Sequence, residues 1–101
     1  MEKLAESTIE QVKQYGGIVE VIQSYVNLKK RGRNYIGLCP FHSEKTPSFT
    51  VSPDKKIFHC FGCHASGDHI SFVQKIDNLT FFEAIETIAQ IANIPIIKEA
   101  S

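Results

Sequence analysis

The sequence predicts an α+β fold, in which a small antiparallel sheet has helices packed at its N- and C-terminal sides. Two observations carry this prediction. Apolar residues recur at helical spacing near both ends of the chain, and the middle contains short alternating stretches separated by turn residues. A length of 101 residues is enough for one domain. We therefore predict a single domain over residues 1–101, with the sheet at its centre.

Two helices are predicted before the sheet. Residues 7–15 open with Ser7 and Glu10 at the spacing of a capping box, and a pair of glycines ends this helix. Residues 18–26 carry apolar side chains along one side and predict a second helix. We expect both helices to contribute their apolar sides to the core.

Four short strands are predicted in the middle of the chain. Residues 26–38 form two of them, with Gly32 and Asn34 as turn formers, so the basic cluster at residues 29–33 lies on or beside a hairpin tip. Residues 48–52 alternate in the manner of a strand, and residues 57–60 return as its partner. In the turn between these two strands, we expect the aspartate at position 54 to accept hydrogen bonds from the amides that follow.

Two more helices are predicted after the sheet. Asp68 or Ser66 caps the first of them, which runs to about Asp77. Thr80 and Glu83 form a capping box at the start of the last helix, and a proline follows its end. Because the last helix has a wide apolar stripe, we expect it to cover one face of the sheet.

Two short motifs of potential metal ligands flank the predicted hairpin. All three cysteines of the chain lie in them, as Cys39-x-x-His42 and Cys60-x-x-Cys63. Two such hooks supply the four ligands of tetrahedral zinc, and three thiolates with one imidazole leave no position for water or substrate. The pattern predicts one structural Zn²⁺ in a zinc ribbon. His64, which directly follows the last cysteine, is a reserve ligand.

Two other interpretations of the cysteines are weaker. Residues 60–64 match the c-type haem attachment motif, but haem would leave Cys39 and His42 without a role. It would also need an exported chain, and residues 1–6 do not resemble a secretory signal. A redox Cys-x-x-Cys motif is equally poor, because no βαβ pattern surrounds it. No long apolar run is present, so we expect no membrane partner.

The charge is unevenly distributed along the chain. The formal net charge is zero, yet residues 29–63 contain seven basic and two acidic residues, a local charge of +5 that leaves −5 for the rest. A basic centre between acidic ends indicates a polyanionic partner.

Basic and aromatic residues on strands are typical of a platform for single-stranded nucleic acid, where charges follow phosphates and rings stack on bases. The phosphate and base candidates are Lys29, Lys30, Arg33, Tyr35, Lys45, Thr46, Phe49, Lys55, Lys56, Phe58 and His59. Strand alternation also allows Phe49 and Phe58 to be core residues. Phe41 and Phe61 lie in the hooks, and we expect them to pack around the metal.

Several strings together resemble the N-terminal zinc-binding domain of bacterial replicative DNA primase. They are residues 26–35 (VNLKKRGRNY), 39–51 (CPFHSEKTPSFTV), 59–63 (HCFGC) and 65–68 (ASGD). The resemblance covers nearly the whole chain. One residue departs from the family pattern, since His64 stands where the family usually has glycine.

The resemblance implies a role in DNA replication. A primase synthesises RNA primers on single-stranded DNA, and its zinc domain contacts the template and helps to select the start site. A separate polymerase domain transfers nucleotides, and a C-terminal domain contacts the replicative helicase. This chain then corresponds to an N-terminal fragment of a cytoplasmic protein at the replication fork. We find no carboxylate cluster for two magnesium ions and expect no catalytic residue here.

A second hypothesis has a different class of partner. The zinc ribbon is then mainly a protein-interaction module that docks on the primase polymerase domain, in cis or in trans. Binding to a short single strand, measured against binding to the isolated polymerase domain, distinguishes the two hypotheses.

Overall fold

The computed structural model describes residues 2–43 and 45–100, and it confirms the predicted α+β class. A five-stranded antiparallel sheet occupies the centre, and helices precede and follow it along the chain. The elements in chain order are β1 (Glu2–Leu4), α1 (Glu6–Gln14), α2 (Ile18–Gln23), β2 (Lys29–Arg31), β3 (Asn34–Gly37), β4 (Phe49–Ser52), β5 (Ile57–Cys60), β6 (Ser66–Gly67), α3 (His69–Asp77), α4 (Phe81–Ala92) and β7 (Lys98–Ala100).

The register of the sheet separates its two faces. The strands follow the order β2-β3-β4-β5-β6, and each pair is antiparallel. Directly paired residues in an antiparallel sheet point to the same side. Val51 pairs with Phe58, and Phe49 pairs with Cys60, and all four are buried. We call the side that carries these residues the core face, and the opposite side the open face.

Aromatic rings fill the space behind the core face. Phe49, Phe58 and Phe72 are each at most 1% exposed, and their ring centroids lie 5.5–5.9 Å apart. The ring of Phe41, which was expected to pack around the metal, joins this group of core rings at 5.5–6.3 Å. Rings at such distances gain packing energy beyond the area that they bury.

Helices α2 and α3 cover the core face, and this arrangement corrects one prediction. The apolar stripe of α4 was expected to lie on the sheet, but it packs mainly against α1, α2 and α3. The stripe is buried as predicted, at Ala84, Ile85, Ile88 and Ala89. The difference arises because α2 and α3 already occupy the sheet surface, so α4 forms a further layer behind them.

The helix ends after the sheet are capped as predicted. Asp68 accepts a hydrogen bond from the Ser71 amide at 2.8 Å, and Thr80 and Glu83 form a reciprocal capping box. Both helices end at an asparagine in the left-handed conformation, Asn78 and Asn93. Left-handed residues commonly terminate helices because they release the backbone from the helical path.

Local hydrogen bonding differs from prediction at the start of the chain. Helix α1 begins one residue earlier than predicted, and its N-cap Ala5 makes no side-chain cap bond, so the predicted capping box with Ser7 is wrong. Thr8 is buried instead and ties in the C-terminal segment. Its hydroxyl donates to the Pro95 carbonyl at 3.2 Å and accepts from the Ile97 amide at 3.0 Å.

Two further local predictions are corrected. Helix α2 ends at Gln23 and not at residue 26. In the turn between β4 and β5, the Lys55 amide donates to the Ser52 hydroxyl at 3.3 Å, so Ser52 takes the acceptor role that was predicted for Asp54. Asp54 is exposed and its carboxylate remains available to solvent.

Two pairings were not predicted. Strand β6 adds a fifth strand beside β5, and β1 pairs with β7 in a separate two-stranded sheet that joins the two ends of the described chain. These strands are two or three residues long, too short for alternation to reveal them. Among the residues that the structure describes, no helix is long and apolar enough to cross a membrane.

Candidate metal centre and open sheet face

The strands place the two hooks beside each other. The first hook lies in the connection after β3, which leads into β4, and the second begins at Cys60, the last residue of β5. Because β4 and β5 are paired and antiparallel, the start of β4 and the end of β5 lie side by side at the same end of the hairpin. The Phe61 amide donates to the Ser48 carbonyl at 3.0 Å and continues this pairing into the second hook.

The four side chains form one compact group. The ligand atoms of Cys39, His42, Cys60 and Cys63 all lie within 4.8 Å of one another. The Sγ atoms of Cys39 and Cys63 are 3.8 Å apart, and Cys60 Sγ lies 3.9 Å from His42 Nδ1. Zn–S bonds of about 2.3 Å at tetrahedral angles put two sulfurs about 3.8 Å apart. The donor set and its spacing therefore fit tetrahedral zinc.

Two of the cysteine sulfur atoms accept hydrogen bonds from neighbouring groups. The Phe41 amide donates to Cys39 Sγ at 3.4 Å, and the Gly62 amide donates to Cys60 Sγ at the same distance. The Ser48 hydroxyl also lies 3.4 Å from Cys60 Sγ. Such outer contacts orient the ligands of structural metal sites and stabilise their charge.

The same contacts separate the acidities of two thiols. Burial raises the pKa of Cys39 to about 12, and the neighbouring Cys60 and Cys63 thiols add to the effect. Burial also raises the pKa of Cys60, but hydrogen bonds from Ser48 and from the backbone outweigh it and bring the pKa to about 7. Zinc binds thiolates, so metal binding at these cysteines releases protons.

Gly62 gives the histidine ligand its space. A Cβ atom built at this position lies 2.8 Å from His42 Nε2 and 3.0 Å from the Ser48 hydroxyl. Contacts this short require the imidazole or its neighbours to move. A glycine between the cysteines of the second hook therefore allows the two hooks to approach closely.

His64 stays outside the metal group in the described structure. It is exposed and has a φ angle of 66°, a left-handed conformation that suits glycine better than histidine. The His64 ring instead lies 6.3 Å from the His59 ring, measured between centroids.

The open face carries a row of residues that crosses all five strands. The pairings Lys29↔Ile36, Ile36↔Thr50, Thr50↔His59 and His59↔Ser66 place these five side chains on one side. None of the five is buried. The β2–β3 and β4–β5 hairpins thus present a surface opposite the aromatic core that is polar and basic except at Ile36.

The register sorts the predicted nucleic-acid contacts into three groups. Lys29, His59, Arg33 and Lys55 lie along the open face or line its cleft. Lys30 and Tyr35 pair with each other in the row of Val51 and therefore lie on the core-face side, where Lys30 is exposed at the edge strand and Tyr35 is half-buried. Lys45 and Thr46 are exposed in the loop after the first hook.

Two predictions about aromatic residues need correction. Phe49 and Phe58 cannot contact bases, because their rings are buried in the core. Phe61 does not pack around the metal, since it is 68% exposed and its ring lies 4.6 Å from the His59 ring. The exposed Lys56 side chain extends towards Gly16 and lies outside the lining of the open-face cleft, so its contact with nucleic acid stays a prediction.

Two clefts on the open face include residues that sequence reasoning missed. The polar cleft, of about 350 Å³, has Asn34, Thr50, Ser52, Asp54, His59 and Phe61 among its walls. The apolar groove, of about 500 Å³, has Val26, Ile36, Leu38 and Pro47 as apolar walls and Lys29, Arg31 and Lys45 as cations. Arg31 was detectable, because it alternates with Lys29 along β2. The exposure of Phe61 had no signal in the sequence.

Comparisons with known proteins agree with this geometry. A family model described as the CHC2 zinc finger matches residues 4–101. The chain is 51% identical over 100 residues to a DNA primase of Halalkalibacterium halodurans, covering 99% of this chain and 17% of that protein. It is 52% identical over 92 residues to a DNA primase of Geobacillus stearothermophilus, covering 91% of this chain and 15% of that protein.

A solved structure is also similar. The crystal structure of the Aquifex aeolicus primase, with its zinc-binding and RNA polymerase domains, superposes with a TM-score of 0.77 at 41% identity. The match covers 96% of this chain and 23% of that one. The chain thus spans less than a quarter of the length of each relative described here. The family match, the ligand group and this structure together show a structural zinc.

Proposed function

Because the chain belongs to the CHC2 zinc-finger family, as the zinc-binding domain of a bacterial DNA primase, we propose that it binds the single-stranded DNA template on its open sheet face. The observation that carries this proposal is the separation of the two faces. Apolar rings fill the core face, while cations, polar groups and one exposed ring lie on the side that no described helix covers.

The metal has a structural part in this proposal. Cys39, His42, Cys60 and Cys63 would hold the zinc, and a bound zinc supplies a rigid cross-link with no open coordination position. That cross-link holds the end of the β4–β5 hairpin against the connection from β3. The protein residues then keep Phe61 and His59 at the edge of the polar cleft.

On the open face, charged side chains contact the phosphates of the DNA strand, and an aromatic ring contacts a base. Lys29, Arg31, Arg33 and Lys55 provide cations for successive phosphates, and Phe61 offers a ring for base stacking. Stacking on an aromatic side chain is worth roughly 1–3 kcal/mol per base.

The chain acts, in this proposal, as one zinc-binding domain of a longer primase, and nucleotide transfer belongs to another part of that protein. The relatives are named DNA primases, and this chain matches about one sixth of their length. Template binding here would assist start-site selection at the replication fork. Contact with the replicative helicase would be made through other parts of the parent protein.

The test is a titration of the zinc-loaded chain with a short single strand, followed by residue-resolved NMR. We expect the largest shifts at Thr50, His59 and Phe61, and weaker binding for Lys55→Ala. The matched control is Lys98→Ala, which removes the same charge from an exposed position outside the five-stranded sheet. Shifts confined to the helices, or equal losses for both variants, would refute binding at the open face.

A second candidate function has one observation in its favour. A groove of about 420 Å³ lies between α1 and the start of α4, with Leu4, Ile9, Phe81 and Phe82 among its walls and Glu6 and Glu10 at its rim. Phe82 is 56% exposed. Such a patch is typical of a protein contact and would serve docking on the primase polymerase domain, in cis or in trans.

Phe82→Ser tests this second function. If docking is its role, the variant loses binding to the isolated polymerase domain while it keeps binding to a single strand. Phe61→Ala is the reverse control, because it removes an exposed ring from the open face and leaves the groove intact.

A further inference from the structure

The two clefts of the open face adjoin but differ in hydrogen-bonding capacity. Ile36 of the apolar groove pairs directly with Thr50 of the polar cleft, so the clefts are neighbours on one surface. The polar cleft contains an amide, two hydroxyls, a carboxylate and an imidazole in its walls. Among the described residues, the walls of the apolar groove are aliphatic side chains and cations, with Asn27 as the one uncharged polar side chain.

The carboxylate of Asp54 does not suit a site for phosphates alone. It lines the polar cleft with Arg33 and Lys55, and the described residues show no ion pair or hydrogen bond to it. A carboxylate repels a phosphate and accepts hydrogen bonds without donating any. Its favourable partner on a nucleic acid is an amino group at the edge of a base, such as N4 of cytosine or N6 of adenine.

We infer that the polar cleft reads one template base, and that Asp54 is its specificity-determining residue. A base stacked against Phe61 and His59 presents its edge to the polar walls of the cleft, where Asp54 accepts from an amino group. Cytosine and adenine have that group, and thymine presents oxygen there. This inference rests on the proposed function, since it assigns selectivity to the surface proposed to bind the template.

The apolar groove supplies the contrast. Val26, Ile36, Leu38 and Pro47 can contact any base, and Lys29, Arg31 and Lys45 can hold a phosphate. Leu38 is 49% exposed, which leaves an apolar surface for a neighbouring nucleotide. We assign this groove to the adjacent nucleotide, held without selection. Sequence preference on the open face then comes from the polar cleft and not from the apolar groove.

The test compares oligothymidylates of six to eight nucleotides that carry cytosine, adenine or thymine at one central position. Because a short strand slides until its best base occupies the cleft, one substituted base is enough. Fluorescence anisotropy measures the dissociation constant of each strand for the zinc-loaded chain. We expect the strands with cytosine or adenine to bind on the order of tenfold more tightly than all-thymine.

Two variants locate the preference. Asp54→Ala should bring the ratio between the cytosine and thymine strands close to one, and Asp54→Asn should do nearly the same, because an amide also donates to thymine O4. Arg31→Ala is the matched control, since it weakens all strands by a similar factor and keeps the ratio. Unchanged melting temperature and zinc content verify that each variant is folded.

The outcomes separate this inference from the proposed function. A preference that survives in Asp54→Ala, or a wild-type chain that binds all strands equally, overturns base reading by Asp54 and leaves template binding intact. A wild-type chain that binds no strand overturns both. A preference lost with Asp54 and kept with Arg31 supports both.

Discussion

The core face and the open face are built from the same four-residue strands, yet they differ in almost every property. On β4, Phe49 and Val51 are fully buried, while Thr50 and Ser52, which alternate with them, are half-buried and polar. On β5, Phe58 and Cys60 are buried, and His59 faces the other way. One side of each strand packs into the core, and the other side is partly exposed.

This difference shows how a small domain keeps an uncovered polar surface without losing its core. Burial on one face and the metal at one edge stabilise the backbone, so the open face need not contribute apolar residues to stability. An exposed ring such as that of Phe61 then keeps its position because the preceding residue, Cys60, is buried. Substitutions that act on one face only are the way to test this division.

The largest expected effect is that metal removal disorders the β4–β5 hairpin, which contributes residues to both faces of the sheet. A strong chelator or Cys60→Ser should disorder the β4–β5 hairpin, because structural zinc in small modules contributes on the order of 10–16 kcal/mol of apparent binding energy. That exceeds the stability of many small domains. Circular dichroism and thermal melting measure the loss, and added zinc should restore the chelated protein but not the variant. An unchanged melting temperature would contradict the structural assignment.

A matched pair of phenylalanines separates the faces most sharply. Phe58→Ala should lower the free energy of unfolding by about 3–5 kcal/mol, because it leaves a cavity among packed rings. Phe61→Ala should change it by less than about 0.5 kcal/mol, because that ring is mostly exposed. The order should reverse for single-strand binding, with Phe61→Ala the weaker binder. Urea denaturation and anisotropy measure the two quantities, and equal stability losses would contradict the division.

The close approach of the two hooks at the metal group is tested at Gly62. Gly62→Ala places a methyl group 2.8 Å from His42 Nε2 and should weaken zinc affinity on the order of tenfold. Gly16→Ala is the control, since its added Cβ meets its nearest neighbour at 3.7 Å, an ordinary contact. Competition with a chromophoric chelator measures affinity. Equal zinc affinities for the two variants would show that His42 has room to shift.

Lys30 and Arg31 are neighbours on β2 whose side chains lie on opposite faces, so substituting each one tests the assignment of the faces. Arg31→Ala should reduce the salt dependence of template binding by about one counterion, because Arg31 lines the open face. Lys30→Ala should have a smaller effect, because Lys30 lies on the core-face side of the same strand. Both are exposed, so stability should stay within about 0.5 kcal/mol. Identical salt slopes for the two variants would contradict the assignment of faces.

The smallest expected effect is at His64. His64→Gly removes a side chain from a left-handed backbone position and should stabilise the domain by up to about 1 kcal/mol. Zinc content should be unchanged, since His64 lies outside the ligand group. Thermal melting and metal analysis provide the measurements. A fall in zinc content would show that the histidine participates at the metal.

Features with a local signature in the chain were predictable. The hook spacing indicated the ligand group, and the capping residues located the starts of α3 and α4. Alternation allowed Phe49 and Phe58 to be either core or contact residues, and only the position of α2 and α3 decides that they are buried. The exposure of Phe61 and the place of α4 also depend on which elements meet. Such information is absent from local patterns.

Strands β1 and β7 have a consequence for the order of folding. Their pairing joins residues such as Leu4 and Lys98, which are separated by nearly the whole chain, whereas the β4–β5 hairpin and its two hooks join near neighbours. Closing a long loop costs more entropy than closing a short one, and contacts of that kind tend to form late. We expect the ribbon to assemble first and the β1–β7 pair last. Amide protons of the β1–β7 pair should therefore exchange fastest among the strands, at rates set by local opening of this pair.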